Sequence, residues 1–212
     1  MLFGLAVVSN FHIGFRHLLP VLPFLILGGG AALQRWLGHH LGRLVIAAGV
    51  VFLALSSLLV YPYGISYFNE WIGGPKNGGK YLADSNIDWG QNYPELGAYL
   101  SRHGLDGARA FLMSFDNPWH YMQPGSLSPQ PVPPDASAAV FQPVRGTYAI
   151  SVNLLTGVLL PSGHEDYLAE FRRRTPTARA GYSILISLLS KTDRNLATRV
   201  VNGGFACPEL EF

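Results

Sequence analysis

The 212-residue sequence has little cysteine and few charged side chains, and both shortages limit what the protein does. Its single cysteine, Cys207, cannot form a disulfide within the chain, and one thiol makes no cysteine-based metal site. Charged residues make up 13% of the chain, against roughly 25% in an ordinary soluble domain. The net charge of +2 is too small to indicate a polyanionic partner, so we expect no nucleic acid.

The charges are also distributed unevenly along the chain. Residues 1–62 contain three charged side chains, on Arg16, Arg35 and Arg43, and no acidic residue precedes Glu70. The other 25 charged residues all follow residue 62. The composition therefore suits the first third of the chain to lipid and the remainder to water.

Long apolar runs in the first third predict membrane spans at about residues 18–37 and 44–62, because about 20 apolar residues cross a bilayer. Neither run has a polar face, which argues against a soluble helical hairpin. Pro20 and Pro23 should loosen the start of the first span, and the glycines at 28–30 would allow a close helix approach. Residues 1–9 are apolar but short, and we expect them to be a partial span whose start lies upstream of Met1.

The loop between the two spans carries Arg35, Arg43 and two histidines without an acid, which favours the cytoplasmic side. The region after the second span would then be extracytoplasmic. Aromatic residues follow that span closely and would form a belt at the outer interface: Tyr61, Tyr63, Tyr67 and Trp71.

Alternating helix and strand patterns after residue 62 predict a small extracytoplasmic α/β domain over residues 63–192, followed by a tail at 193–212. Hydrophobic periodicity predicts helices at 93–103 and 167–174, and strands at 108–115, 146–155 and 180–190. Seven of the fifteen prolines fall in residues 116–145, which predicts a long loop or excursion there. The predicted fold is therefore a membrane α-helical hairpin, with two spans and a partial N-terminal span, followed by this domain.

Two polar clusters are candidates for chemistry. The densest is DSNIDWGQN, residues 84–92, whose two acids could bind hydroxyls or a divalent cation and whose Trp89 could stack on a sugar. The alternative is that Asp84 and Asp88 cap turns and helices. The second cluster is His12, Arg16 and His17, just before the first span, where Arg16 could bind a lipid phosphate or simply anchor the chain at the interface.

Several runs resemble the C-terminal part of bacterial family-39-like membrane glycosyltransferases, which are related to the dolichyl-phosphate-mannose–protein mannosyltransferases. The runs are FRHLLPVLPFLIL, YPYGISYFNEWIGGPKNGGKYLADSNIDWGQN, GTYAISVNLLTGV and GYSIL. The resemblance extends from about Phe15 to Leu189, and the spacing YFNE, GGP, NG and DSN-x-DWGQ is its most specific part.

The resemblance implies a GT-C architecture with many membrane helices and an extracytoplasmic site, at which a sugar passes from a polyprenyl-phosphate carrier to an acceptor. It implies further that the catalytic base lies upstream of Met1, so no catalytic residue is assigned in this chain and further helices are expected from upstream sequence or a partner subunit. A divalent cation could accompany the donor. Candidate residues for binding the substrate or carrier are Arg16, His17, Asn69, Glu70, Asp84, Asn86, Asp88, Trp89 and Gln91.

Two other functions remain open from the residues alone. One is a non-catalytic, membrane-anchored module that binds glycans or a partner subunit through the α/β domain. The other is a metal-dependent hydrolase that uses Asp84 and Asp88, although no histidine lies near them in sequence to complete a metal site.

Overall fold

The structure is a computed structural model and describes residues 19–113, 117–130 and 140–190. The expected partial span at 1–9 and the tail at 193–212 lie outside the described residues. Arg16 and His17 lie outside them as well.

Two apolar helices, α1 (Leu22–Trp36) and α2 (His40–Val60), form a hairpin at the start of the described chain. Within the part of the chain that the structure describes, α2 is the one helix long and apolar enough to cross a membrane, judged by its length and composition. Its 21 residues extend about 32 Å at 1.5 Å per residue. Helix α1 has 15 residues, or about 22 Å, which is shorter than the span predicted at 18–37 and than a bilayer core of about 30 Å. Pro23 lies in its first turn, where a missing backbone N–H costs nothing.

The two helices approach each other most closely at the turn that joins them. A Cβ atom at Gly42 would lie 2.1 Å from the carbonyl oxygen of Trp36, so only glycine fits there. The sequence suggested the glycines at 28–30 for close packing, but a Cβ atom added at any of them would meet no atom of another segment within 4 Å. The close approach therefore depends on the short turn.

The apolar side chains of this hairpin face outward. No residue of α1 is buried, and α2 buries only Gly42, Ser56 and Val60. Leu27 is 73% exposed and Leu59 is 81% exposed. Exposed apolar surface on all sides of a helix pair is typical of contact with lipid or with other apolar helices.

A segment that we call the connector, residues 61–92, joins α2 to the following domain. Its backbone forms four short 3-10 turns and one helical turn, α3 (Gly78–Tyr81), where the sequence suggested only a glycine-rich link. The 3-10 turns are Gly64–Ser66, Glu70–Ile72, Pro75–Asn77 and Asp84–Asn86. Gly73 and Gly74 have φ of 83° and 75°, which explains the paired glycines after the Glu70–Ile72 turn.

The domain contains a mixed five-stranded sheet, which confirms the predicted small α/β fold. The helices around it are α4 (Tyr93–His103), α5 (Val152–Leu155) and α6 (Ala169–Arg172). The strands are β1 (Ala108–Phe111), β2 (Leu127–Pro129), β3 (Gly146–Ser151), β4 (Ala178–Ala180) and β5 (Ile184–Leu189), in the spatial order β2-β1-β3-β5-β4. Strand β1 is parallel to β2 and β3, whereas β5 is antiparallel to β3 and β4.

Both faces of the sheet are covered, because successive side chains along a strand point to opposite faces. On one face, Ala149 of β3 and Ile186 of β5 pack beneath Leu96 and Leu100 of α4. On the other face, residues of β1 and β3 pack against Leu155, Leu168 and Phe171 of the 152–173 segment; they are Phe111, Tyr148 and Ile150. The domain therefore has its core on both sides of a single sheet.

Several predicted elements differ in extent from the observed ones. The helix at 93–103 is confirmed residue for residue, with Gly104 left-handed at its end. The strand predicted at 146–155 stops at Ser151, because that side chain accepts a hydrogen bond from the Asn153 backbone and begins α5. The strand predicted at 180–190 is divided, because Gly181 turns the chain at a φ of 55° between β4 and β5.

The predicted helix at 167–174 is reduced to the single turn α6, and the strand at 108–115 to β1. The Pro-rich stretch is not structureless within its described residues. Its Leu127–Pro129 segment is the edge strand β2, and Pro118–His120 is a 3-10 turn. A strand containing proline is tolerated at a sheet edge, where one side needs no backbone donor.

Candidate functional site

The run DSNIDWGQN folds at the carboxyl end of β3, where the connector meets the sheet. Asp88 is the buried carboxylate of the run, with 1% of its surface exposed. Its Oδ1 accepts a hydrogen bond of 2.9 Å from the Gly90 backbone, and its Oδ2 accepts one from the Ser151 hydroxyl. Both oxygens of this carboxylate are therefore engaged inside the protein, and Asp88 holds the connector to the sheet.

Asn153, which follows β3, also binds the connector at this junction. The sequence did not identify it as a candidate residue. Its Nδ2 donates to the carbonyl oxygens of Asp84 at 3.1 Å and Asp88 at 3.4 Å, and to the Met113 sulfur at 3.1 Å. The side chain is completely buried, and among the described residues its Oδ1 has no hydrogen-bond partner. A signal was present in the sequence, since Ser151 and Asn153 interrupt an otherwise apolar run.

Gln91 links separate parts of the connector through hydrogen bonds. Its Nε2 donates to the Ser66 hydroxyl at 3.1 Å and to the Ile87 carbonyl at 2.9 Å, while its Oε1 accepts from the Trp89 backbone at 2.7 Å. Ser66 is fully buried and donates to the same Ile87 carbonyl at 2.8 Å. The amide of Gln91 is therefore used in folding, and Ser66 is a second residue that the sequence did not single out.

Trp89 is the exposed member of the run, and Asp84 is half-buried, as are Ser85, Asn86 and Gln91. The Trp89 indole donates to the Ser85 carbonyl at 2.7 Å, which fixes the ring against the Asp84–Asn86 turn, and the residue is 37% exposed. Asp84 is half-buried and has a φ of 61°, the left-handed region that aspartate tolerates better than most residues. Within the described ranges its carboxylate makes no hydrogen bond or ion pair.

Asn86 belongs to the same turn, and its Nδ2 donates to the Ala83 carbonyl at 3.1 Å. Asn69 is exposed, and its carbonyl accepts from the Gly74 backbone at 3.1 Å. Both residues lie at turns, and the Asn69 side chain makes no capping hydrogen bond to the turn that follows it.

Glu70 forms a separate contact at the end of α2. Its carboxylate accepts a hydrogen bond from the Ser56 hydroxyl, which also shares a hydrogen bond of 3.1 Å with the Tyr67 hydroxyl. The Ser56 hydrogen bond lowers the pKa of Glu70 below its ordinary value, because it stabilises the ionised carboxylate. An ionised side chain therefore lies beside the last turn of the apolar helix.

The structure thus divides the described candidate residues into two groups. Asp84, Asn86, Asp88, Trp89 and Gln91 come together at the end of β3, whereas Glu70 and Asn69 lie in the earlier part of the connector near α2. Within the described ranges, no three His, Cys, Asp or Glu side chains are grouped so as to hold a metal ion. Because both oxygens of Asp88 are occupied, Asp84 and Asp88 do not form an open carboxylate pair.

Comparison with models of known protein families, with curated protein sequences and with solved structures finds no significant match to this chain.

Proposed function

We propose that this chain is the C-terminal portion of an integral-membrane glycosyltransferase that transfers a sugar from a polyprenyl-phosphate carrier to an acceptor. The observation that carries the proposal is that the residues of the 84–92 run have two different roles. Its buried members hold the connector on the sheet, while Trp89 and Asp84 stay accessible on a fixed turn. The resemblance of this run to family-39-like enzymes is the reason for proposing that the transferred group is a sugar.

The proposal places α1 and α2 as two spans of the cell (inner) membrane. The apolar exterior of both helices supports this, as does the arginine-bearing turn between them, which favours the cytoplasmic side. The α/β domain would then be extracytoplasmic. Further helices, and the catalytic base, would come from upstream sequence or from a partner subunit.

The accessible pair suits a sugar ring. The flat Trp89 indole offers an apolar surface to the C–H face of a pyranose, and its position is fixed before any ligand arrives. The free carboxylate oxygens of Asp84 would accept hydrogen bonds from sugar hydroxyls. Arg16 would pair with the carrier phosphate, because a guanidinium binds phosphate through two parallel hydrogen bonds. No residue of this chain is assigned a catalytic role.

The test uses the complete protein purified from its own membrane and reconstituted in nanodiscs, with polyprenyl-phosphate sugars as donors. We expect Trp89→Ala and Arg16→Ala each to weaken donor binding several-fold and to lower turnover. Trp119→Ala is the matched control, because Trp119 has similar exposure, 42%, but lies in the 118–120 turn. Unchanged donor binding and turnover in both Trp89→Ala and Arg16→Ala would contradict the proposal.

The second candidate is a non-catalytic, membrane-anchored module that binds a glycan or a partner subunit. The engagement of both Asp88 oxygens favours it, because the 84–92 run then offers a binding surface with one open carboxylate. The two candidates separate in one experiment on the complete protein. Glycan binding that requires Trp89, with no sugar transfer from any polyprenyl donor, supports the module, whereas transfer supports the enzyme.

A further inference from the structure

The connector carries large apolar side chains that no other described part of the chain covers. Trp71 is 94% exposed, Tyr61 is 79% exposed and Ile65 is 50% exposed. Tryptophan and tyrosine with this degree of exposure are costly in water and are enriched where a membrane meets water.

These residues lie beside the end of the apolar helix. Tyr61 follows directly on α2, and Tyr67 and Glu70 turn back to contact Ser56, four residues before the end of that helix. Trp71 comes immediately after Glu70. The exposed aromatic side chains therefore continue the apolar exterior of α2 at its C-terminal end.

The opposite side of the connector is fixed to the α/β domain. The Tyr63 ring meets the Tyr182 ring edge-on, with 5.3 Å between their centroids, and the Arg179 guanidinium donates to the Lys76 carbonyl at 3.3 Å. Tyr63 is thus half-buried against the domain and does not belong to the exposed belt that the sequence predicted. The connector therefore contacts α2 on one side, and strand β4 and the turn after it on the other, so it joins the two regions through fixed contacts.

The middle of the connector, residues 71–83, carries positive charge, whereas its two aspartates, Asp84 and Asp88, follow at the junction with the sheet. Residues 71–83 contain Lys76 and Lys80 and no acidic residue, and both lysines are exposed. Basic side chains close to an interfacial tryptophan favour the phosphates of anionic lipid headgroups.

We propose that the outer face of residues 61–80 rests in the headgroup region of an anionic bilayer and holds the α/β domain in one fixed pose on the membrane. Trp71, Tyr61 and Ile65 enter the interface, and Lys76 and Lys80 face the lipid phosphates. This inference rests on the membrane placement of α2 given under the proposed function, but it does not require glycosyl transfer. Its consequence is that Trp89 and Asp84 stand at a set distance above the lipid surface, where a lipid-borne ligand is presented.

The experiment measures the depth of single fluorescent labels. In the complete protein with Cys207→Ser, an environment-sensitive label is attached at Trp71→Cys, and in separate variants at Leu53→Cys or Trp119→Cys. Vesicles of phosphatidylcholine and phosphatidylglycerol carry spin labels at shallow or deep acyl positions, and iodide serves as the aqueous quencher. Ile65→Cys provides a second connector position in case the label at 71 disturbs folding.

We expect shallow spin labels to quench positions 71 and 65 most strongly, deep spin labels to quench position 53, and iodide to quench position 119. Iodide quenching at 71 and 65 equal to that at 119, with position 53 deep in the bilayer, would overturn the lipid contact and leave the membrane span intact. Iodide quenching at position 53 as well would overturn both the span and the inference.

The headgroup preference is tested by spin-labelled phosphatidylglycerol against spin-labelled phosphatidylcholine at the same mole fraction. We expect stronger quenching of position 71 by phosphatidylglycerol, and loss of that excess when Lys76→Gln and Lys80→Gln are combined. Equal quenching by the two lipids in the protein with both lysines would overturn the preference for anionic lipid.

Discussion

The hairpin and the α/β domain use similar apolar residues in opposite ways. In α2, Leu53 and Leu59 point outward and more than half of each is exposed, whereas Leu96 and Leu100 of α4 are fully enclosed by the sheet. Apolar surface is stable only where its surroundings are apolar, so the domain provides its own interior and the hairpin requires an external apolar phase. The connector lies between them, with a buried polar side toward the sheet and an aromatic side toward the exterior.

The sharpest test of this comparison substitutes the same residue type in both regions. We expect Leu96→Ala to destabilise the domain by about 2–5 kcal/mol, because it opens a cavity in a closed core. Leu53→Ala should change domain stability by less than about 0.5 kcal/mol, since its side chain contacts no core. Urea unfolding in detergent micelles, followed by tryptophan fluorescence, measures both. Equal losses would mean that the hairpin is packed against protein.

The junction of connector and sheet gives the next largest effect. Ser151→Ala removes the hydroxyl from the buried Asp88 carboxylate, and we expect a loss of about 1–3 kcal/mol because that oxygen is left without its partner. Ser128→Ala is the matched control, because Ser128 lies exposed in the edge strand β2. The same urea transition reports both variants. Identical midpoints would show that the connector folds independently of the sheet.

Replacing a glycine by alanine should change the stability of the protein in opposite directions in the two regions. Gly104 ends α4 with a φ of 58°, and we expect Gly104→Ala to cost about 1 kcal/mol through backbone strain, since its Cβ would meet no neighbour within 4 Å. Gly49 lies inside α2 with equally open surroundings, so Gly49→Ala should favour the helix. Thermal unfolding followed by circular dichroism compares them, and a loss of stability in both variants would contradict the assignment of open space around Gly49.

The smallest expected effect concerns the link between connector and α2. Because its pKa is lowered in the folded protein, Glu70 stabilises the contact with Ser56 above the ordinary glutamate pKa. That contribution is lost as the pH falls through the lowered value. Hydrogen exchange of the 66–71 backbone, corrected for its intrinsic pH dependence, should therefore accelerate on acidification. Glu70→Gln should remove this pH dependence, and its persistence in that variant would assign the effect to another group.

Local sequence patterns predicted those elements that depend on short-range information. Helix 93–103 has a proline in its first turn, an apolar face and a terminal glycine, and all three signals act within the helix itself. Strands β3 and β5 were predicted in position but too long, because Ser151 ends β3 through local hydrogen bonding and Gly181 separates β4 from β5 by a left-handed turn. Strand β2 was missed, because a short Pro-containing segment becomes a strand only by pairing with β1.

The sequence predicted which segment forms the candidate site, but not how the side chains of that segment are arranged. The run at 84–92 was recognised by its density of polar residues, yet nothing in its order distinguished the buried Asp88 from the half-exposed Asp84. That difference arises from Ser151 and Asn153, which are more than 60 residues away in sequence and reach the run only through the folding of β3.

The sequence by itself determined where apolar residues and charges lie along the chain. It therefore determined the two apolar helices, the helix–strand alternation and the polar run. The tertiary structure alone decided which carboxylate is buried, how the Trp89 ring is held and which aromatic residues of the connector face outward. The physical reason is that burial depends on contacts between distant segments, whereas periodicity and capping depend on residues a few positions apart.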